Sequence, residues 1–395
     1  MQTRRNGHKS LTWDPESSLD ELAQLARTAG AQVVGRAVQK LDSPNSAHYI
    51  GHGKLKEIVA QRGAIGYTMV VFDDELSPSQ QRNLEDALKV KVLDRTALII
   101  DIFAMRARTK EGRLQVELAQ SEYLLPRLAG QWSHLERLGG SGAQGSIGVR
   151  GPGETQLETD RRLARTKIAR LKRQIEDVRR HRSLYRHRRA RSHVPVVALV
   201  GYTNAGKSTL MRTLTHADVL VEDQLFATLD PITRRVRLPS GRVALLTDTV
   251  GFIQKLPTQL VAAFQATLEE LADADLLLHV VDITHPEAAQ QSQTVDDTLA
   301  ELGLADKPRV TALNKVDLLV GRGEETEADL EELAGYDLSL ERHRPDAVFI
   351  AAERGWGLDR LLTRVDETLE QLAAERPVVA ASRDAWAGAK AETPS

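Results

Sequence analysis

The sequence predicts an α/β protein in two parts: a small N-terminal α/β domain carrying a long helical hairpin, then a P-loop domain with a doubly wound sheet. Three observations predict it. Gly201-Tyr202-Thr203-Asn204-Ala205-Gly206-Lys207-Ser208 fits the phosphate-loop pattern and lies between an apolar strand and an amphipathic helix. Residues 19–104 alternate helix-like with strand-like pieces. From about Leu157 to Arg191, apolar residues recur at alternating three- and four-residue spacing, the narrow seam of a helix that packs on one partner.

In order, residues 1–17 read as a disordered tail and 18–112 as the N-terminal domain. Within it the pattern predicts a helix over Leu19–Ala29, a strand at Gln32–Val38, a helix at Lys54–Arg62 and an apolar strand at Thr68–Phe72. A helix at Pro78–Leu88 and a strand near Lys91–Leu93 follow, and the alternation implies a parallel sheet. Residues 113–193 form the hairpin: a helix over Leu114–Leu128, a glycine-rich tip at 130–153, and an antiparallel return helix with Leu157, Ala164, Ile168, Leu171, Ile175 and Val178 in its seam. Val194-Pro195 opens the second domain, 194–376, with strand Val196–Val200, and residues 377–395 read as a second disordered tail.

Composition bounds the chemistry. The 395 residues, 41% hydrophobic and 27% charged, suit a globular protein of two or three domains. No apolar run is long enough to span a bilayer, and Met1–Ser10 lacks a signal core, so the expectation is a soluble, cytoplasmic protein with no membrane span; a monomer is expected separately, since the sequence itself does not show oligomeric state. Cysteine is absent, which excludes disulfides, thiolate metal sites and cysteine nucleophiles, and the 11 histidines show no metal-ligand spacing. The net charge of −2 hides segregation: Arg161–Arg191 is dense in Arg and Lys, opposed only by Glu176 and Asp177, while acids collect at Glu269-Glu270 and Glu324–Glu332. Such polarity suits a protein with one face towards a polyanion.

The phosphate loop sets the first function class. Its glycines let backbone N–H groups close around a β-phosphate, Lys207 neutralises β- and γ-phosphate oxygens, and Ser208, followed by Thr209, offers a hydroxyl to Mg²⁺. Leu245-Leu246-Thr247-Asp248-Thr249-Val250-Gly251 is a strand ending in a carboxylate that can hold Mg²⁺ through water, then a Gly whose N–H can meet the γ-phosphate. Between them, Phe226-Ala227-Thr228-Leu229-Asp230 offers Thr228 as a second hydroxyl ligand on a switch loop, although Phe226–Leu229 also reads as a core strand. Asn314-Lys315-Val316-Asp317 follows strand Arg309–Leu313, and the Asp317 carboxylate can accept from two donors of guanine that adenine lacks. The pocket should therefore take GTP and GDP. Asn314 should brace the loops and the Lys315 stem cover the base. After strand Ala347–Ile350, Ala351-Ala352-Glu353 stands where GTPases often have Ser-Ala-Lys, and the Ala351 amide should still read the guanine oxygen.

Lys207, Thr228, Gly251 and Phe252 are the candidate catalytic residues, and Ser208, Thr228 and Asp248 the candidate metal ligands. Ras-like enzymes orient the attacking water with a Gln that here is Phe252, so hydrolysis should be slow until Phe252 retracts or a partner surface completes the site. Asn204 is a candidate for holding K⁺ near the phosphates.

Over about residues 30–375 the chain resembles the HflX family of ribosome-associated GTPases. The residues that carry the resemblance are Arg150-Gly151-Pro152-Gly153-Glu154-Thr155-Gln156-Leu157-Glu158, Tyr49-Ile50-Gly51, Phe72-Asp73-Asp74-Glu75-Leu76-Ser77-Pro78, Leu93-Asp94-Arg95-Thr96, Gln115-Val116-Glu117-Leu118, and Asp248 through Phe252. The resemblance implies a factor that binds the large ribosomal subunit and its rRNA and, in its GTP form, splits or rescues stalled ribosomes under stress. Ser141–Ser146 is longer than the usual family loop, and no sizeable C-terminal domain follows. The alternative is a ribosome-assembly or hibernation factor that binds rRNA with GTP as a regulatory ligand. An RNA-remodelling ATPase is disfavoured by Asp317, and a metabolic kinase by the lack of a recognisable lid or acceptor pocket.

Overall fold

A computed structural model describes residues 14–128, 152–190, 194–215, 225–255, 270–319 and 347–375, with only the backbone of 152–157 and 181–190. Helix α1 (Pro15–Thr28) starts on a proline, whose missing N–H costs nothing in a first turn, and buries Leu22, Leu25 and Ala26. Pro15, Glu16 and Ser17 thus belong to a helix and not to the expected tail. Residues 32–38 are not a strand either. Val34 and Val38 are 50% and 44% exposed and only Val33 packs on the core, so the apolar alternation has too little to bury to fix a ladder register.

Helix α2 (His52–Ile65) leads to β1 (Met69–Phe72). Helix α3 (Pro78–Leu88) begins in a capping box, with Ser77 Oγ accepting from Gln80 N at 3.2 Å while the Gln80 side chain accepts from Ser77 N at 3.0 Å. Strand β2 (Lys91–Asp94) pairs parallel with β1, Met69 opposite Lys91 and Phe72 opposite Asp94. Asp94 then caps α4 (Arg95–Arg106) by accepting from Ala97 N at 2.8 Å. Residues 95–100, 102 and 103 of α4 are all buried, so it is a core helix with no polar stripe for periodicity to reveal. Helix α5 (Lys110–Leu124), capped by Thr109, packs on α6 (Pro152–Ala190) through Leu114, Leu118, Ile168, Leu171 and Ile175. Lys167–Glu117 and Lys172–Glu122 pairs, each 2.8 Å, flank that seam. The expected glycine-rich tip lies outside the described residues, apart from the first turn of α6.

The second unit is a six-stranded sheet in the order β4-β5-β3-β6-β7-β8: β3 (Val196–Val200), β4 (Ile232–Arg237), β5 (Val243–Asp248), β6 (Leu276–Asp282), β7 (Arg309–Asn314) and β8 (Ala347–Phe349). Only the edge strand β4 is antiparallel. Helices α7 (Lys207–Thr215), α8 (Ala288–Glu301) and α9 (Leu358–Glu375) contact the sheet. Because β3 is followed by β5 on one side and β6 on the other, the chain reverses direction across the sheet at β3, where α/β sheets form their ligand crevice.

The two units share a core. Tyr202, Leu225, Phe226, Leu229 and Ile253 of the second pack in one cluster with Leu22, Leu25, Leu98, Ile102 and Phe103 of the first. At its edge the Arg95 guanidinium, 2% exposed, pairs with Glu21 and, at 2.7 Å, with Asp73. Removing one partner of such a group leaves buried charge unbalanced. Arg95→Ala should destabilise the N-terminal unit by about 3–5 kcal/mol, lowering the first calorimetric unfolding transition; a loss under about 1 kcal/mol contradicts the assignment of Arg95 as a buried ion-pair centre.

Candidate nucleotide-binding site

The strands of the sheet deliver their chemistry at one end. Strand β3 runs into the phosphate loop, β5 ends on Asp248, β6 on Asp282 and β7 on Asn314. Two glycines permit the close approach. A Cβ on Gly201, at φ +151°, would lie 2.3 Å from Val280 O, and one on Gly206, at φ +97°, 2.2 Å from Asn314 Nδ2.

Lys207 opens α7 fully buried, its Nζ donating to Gly201 O (3.1 Å) and Tyr202 O (2.6 Å). Burial pushes its pKa down to about 8 even with the Asp248 charge opposing. A phosphate is the kind of ligand that restores its full charge. Asp248 is wholly buried, and burial pushes its carboxyl up, against hydrogen bonds from Ser208 and Thr228 and the charge of Lys207. Its Oδ2 accepts from Ser208 Oγ at 2.7 Å and Thr228 Oγ1 at 3.0 Å, and the two hydroxyls lie 2.8 Å apart. Asp248 Oδ1 has no protein partner among the described residues. Three hard oxygens with one buried carboxylate oxygen left over fit Mg²⁺, which takes few protein ligands and completes its octahedron with phosphate and water. Among the described residues no cluster of His, Asp and Glu offers a rival metal site.

Gly251 closes the wall. A Cβ there would sit 2.9 Å from Thr203 Cα and 3.0 Å from Lys207 Nζ. The next residue, Phe252, is fastened by backbone alone, its N donating to Gly201 O (3.0 Å) and its O accepting from Thr203 N (2.8 Å). Its ring is 3% exposed and packs with Val200, Leu271 and Leu277 in the sheet's core. The ring is therefore already retracted and does not line the pocket.

Thr203, Asn204, Gly206, Lys207, Ser208, Thr209, Phe226, Ala227, Thr228, Thr249 and Gly251 all border one pocket. The loops after β7 and β8 are tied to the phosphate loop through Asn314, whose Nδ2 donates to Ala205 O (2.8 Å) and whose Oδ1 accepts from Ala352 N (3.0 Å). Lys315, at φ +67°, reaches Asp282 at 2.7 Å, and Val316 is buried while Asp317 in the short 3₁₀ turn Val316–Leu318 stays partly open. Glu353 is exposed. The Ala351 amide donates to Trp356 O at 3.1 Å. An amide has one proton, so the expectation that Ala351 reads the guanine oxygen is corrected: that donor is engaged within the loop.

Four expected contact residues turn to the first unit instead. Leu229 and Val250 pack in the shared core. Tyr202 Oη donates to Glu21 and accepts from Gln254 N at 2.9 Å. The Asp230 carboxylate accepts from Arg108 N (2.9 Å) and Thr109 N (2.8 Å) at the start of α5. Lys255 pairs with Asp73 (2.7 Å) and Asp74 (2.6 Å). Sequence reasoning assigned no role to Glu21, Asp73, Thr109 or Lys255; the Asp73-Asp74 pair and the Asp94-Arg95 turn were visible only as family-matching residues.

Lys207→Ala should lose both guanine nucleotides in calorimetric titration. Asp317→Asn should exchange preference from guanosine towards xanthosine nucleotides, because the amide cannot accept from both guanine donors; unchanged GTP binding in both variants contradicts the site.

The family models and curated relatives that this chain matches point the same way. The family described as GTP-binding GTPase N-terminal matches residues 16–104, GTP-binding GTPase middle region matches 106–189, and 50S ribosome-binding GTPase matches 196–315. A GTPase HflX from Caldanaerobacter subterraneus subsp. tengcongensis is 50% identical over 356 residues, 90% of this chain and 78% of that protein. The GTPase HflX of Escherichia coli is 42% identical over 369 residues, 93% of this chain and 83% of its own. A crystal structure of a GTP-binding protein from the archaeon Sulfolobus solfataricus with GDP is 25% identical, covering 90% and 97% of the two chains, with a TM-score of 0.46. With the phosphate loop, Thr228 and Gly251 around one pocket, and identity of this extent to curated relatives, the chain belongs to the HflX family of GTPases.

Proposed function

We propose that this GTPase binds the large ribosomal subunit, splits or rescues stalled ribosomes in its GTP form, and leaves on hydrolysis. The observation that carries the reading is the match of residues 196–315 to the 50S ribosome-binding GTPase family, in a chain whose α6 exposes Arg162, Arg165, Arg170 and Arg173. Exposed guanidinium groups along one helix suit the phosphates of folded RNA. No helix among the described residues is long and apolar enough to cross a membrane.

The residues divide the work. Lys207 and the loop amides hold the β- and γ-phosphates, and Gly251 brings its N–H to the γ-phosphate. Mg²⁺ would be held by Ser208 and Thr228, with Asp248 behind it; bound there, it would neutralise charge on the phosphate oxygens. The Phe252 ring, packed in the core, neither orients nor obstructs an attacking water. Slow intrinsic turnover follows, with the ribosome supplying the missing order. Asn204, at φ +61° on the pocket's edge, is the candidate to help hold K⁺ beside the phosphates. The second reading, an assembly or hibernation factor, is favoured by the same basic helix and differs in leaving subunits joined.

GTP hydrolysis should rise strongly when large subunits are added, and the protein should co-sediment with them in a non-hydrolysable GTP analogue. Gradient profiles should show stalled ribosomes separating into subunits; ribosome binding without separation favours the second reading. Replacing Arg165, Arg170 and Arg173 by Glu should weaken co-sedimentation and flatten its salt dependence, by roughly one unit of slope for each phosphate no longer neutralised, with GDP affinity unchanged. Chelating Mg²⁺ should abolish turnover, and exchanging K⁺ for Na⁺ should slow it; equal rates in the two salts would remove Asn204 from the account.

A further inference from the structure

We infer that the N-terminal unit is a built-in effector for the nucleotide switch: Asp230, docked on the start of α5, positions Thr228 for the metal and so favours the triphosphate state. The loop 225–230 has two sides. Ala227 and Thr228 face the pocket, and Thr228 Oγ1 stands within 3.0 Å of both Ser208 Oγ and Asp248 Oδ2. Leu225, Phe226 and Leu229, each at most 4% exposed, sink into the shared core, where Phe226 meets Phe103 edge to face at 4.6 Å and 85°. Phe226 is held at φ +57°, a conformation that a bulky side chain adopts only when its surroundings impose it.

At the end of this loop Asp230 docks on Arg108 and Thr109, the two residues that lead into α5. Its carboxylate takes the amides of Arg108 and Thr109 and the Thr109 hydroxyl, in the field of a helix N-terminus. Thr109 Oγ1 meanwhile accepts from Gly112 N at 2.9 Å. The fit has no slack: a Cβ on Gly112 would lie 2.5 Å from Asp230 Oδ1. Only Leu229 separates Thr228 from this anchor, so an undocked Asp230 cannot hold Thr228 at the metal. A ligand that binds the docked state better than the undocked one must tighten the docking in return. Asp230, Thr109 and Gly112 are thus positioning residues, and the inference rests on reading Thr228 as a magnesium ligand.

The test measures the affinities of full-length protein for a non-hydrolysable GTP analogue and for GDP, both with Mg²⁺. Gly112→Ala is the informative variant, since alanine favours an isolated helix over glycine by about 1 kcal/mol while its methyl group displaces Asp230. Gly112→Ala and Asp230→Ala should each lose roughly tenfold in analogue affinity relative to GDP. Thr109→Ser should retain the wild-type ratio and Thr109→Val should not, which a loss of mere stability would not produce. Thr228→Ala separates the two layers. If it lowers the ratio while Gly112→Ala or Asp230→Ala leaves it unchanged, the positioning role is overturned and the metal reading stands. If Thr228→Ala also leaves it unchanged, both fail, and an equal loss of GDP and analogue in the Asp230 variant overturns the inference as general damage.

Discussion

One buried guanidinium joins the two halves of the molecule. Arg95 sits at the first turn of α4, where Asp94 caps the helix, and holds Glu21 of α1 and Asp73 beyond β1. Each of those carboxylates reaches the nucleotide-binding unit: Glu21 accepts from the Tyr202 hydroxyl of the phosphate loop, and Asp73 from Lys255 after Gly251. Burial, reinforced by the Glu21 charge, pushes the Tyr202 phenol well above its usual range, so it remains a donor. Ion pairs of this kind repay their desolvation poorly, and their use lies in fixing one arrangement over others. Here that arrangement sets both loops that border the pocket beside the phosphate loop against the N-terminal unit.

The pocket accordingly has two classes of wall. The phosphate loop, Asp248 and Asn314 stand on strand ends deep in a parallel sheet, and their geometry is set by packing within one domain. The loop 225–230 and residues 251–255 have no regular structure of their own, and they are divided between pocket, sheet core and N-terminal unit. A switch needs such elements: stable only with partners on two sides, they respond when either partner changes.

The first class was legible from sequence. Strands such as Val196–Val200 and Arg309–Asn314 are apolar runs that end on chemistry-bearing residues, and the phosphate loop, Asp248 and Asn314-Lys315-Val316-Asp317 follow in the order a doubly wound sheet requires. The pattern failed where burial is uniform or one-sided. Helix α4 carries no polar stripe, β4 is basic because it lies at an edge, and residues 32–38 alternate without a face to cover. Contacts between the units were invisible, since Thr109 and Asp230 are 121 positions apart and no periodicity links them. The engaged amide of Ala351 was hidden too, because it depends on how residues 351–356 turn back on themselves.

Guanine nucleotide, acting through these loops, should tighten the contact between the two units. Amide hydrogen exchange at Arg108, Thr109 and Gly112, all outside the pocket, reads it directly. Exchange at these three amides should be slower with Mg²⁺ and a non-hydrolysable GTP analogue than with GDP, whereas identical exchange in both nucleotide states, with the pocket saturated, would contradict this coupling.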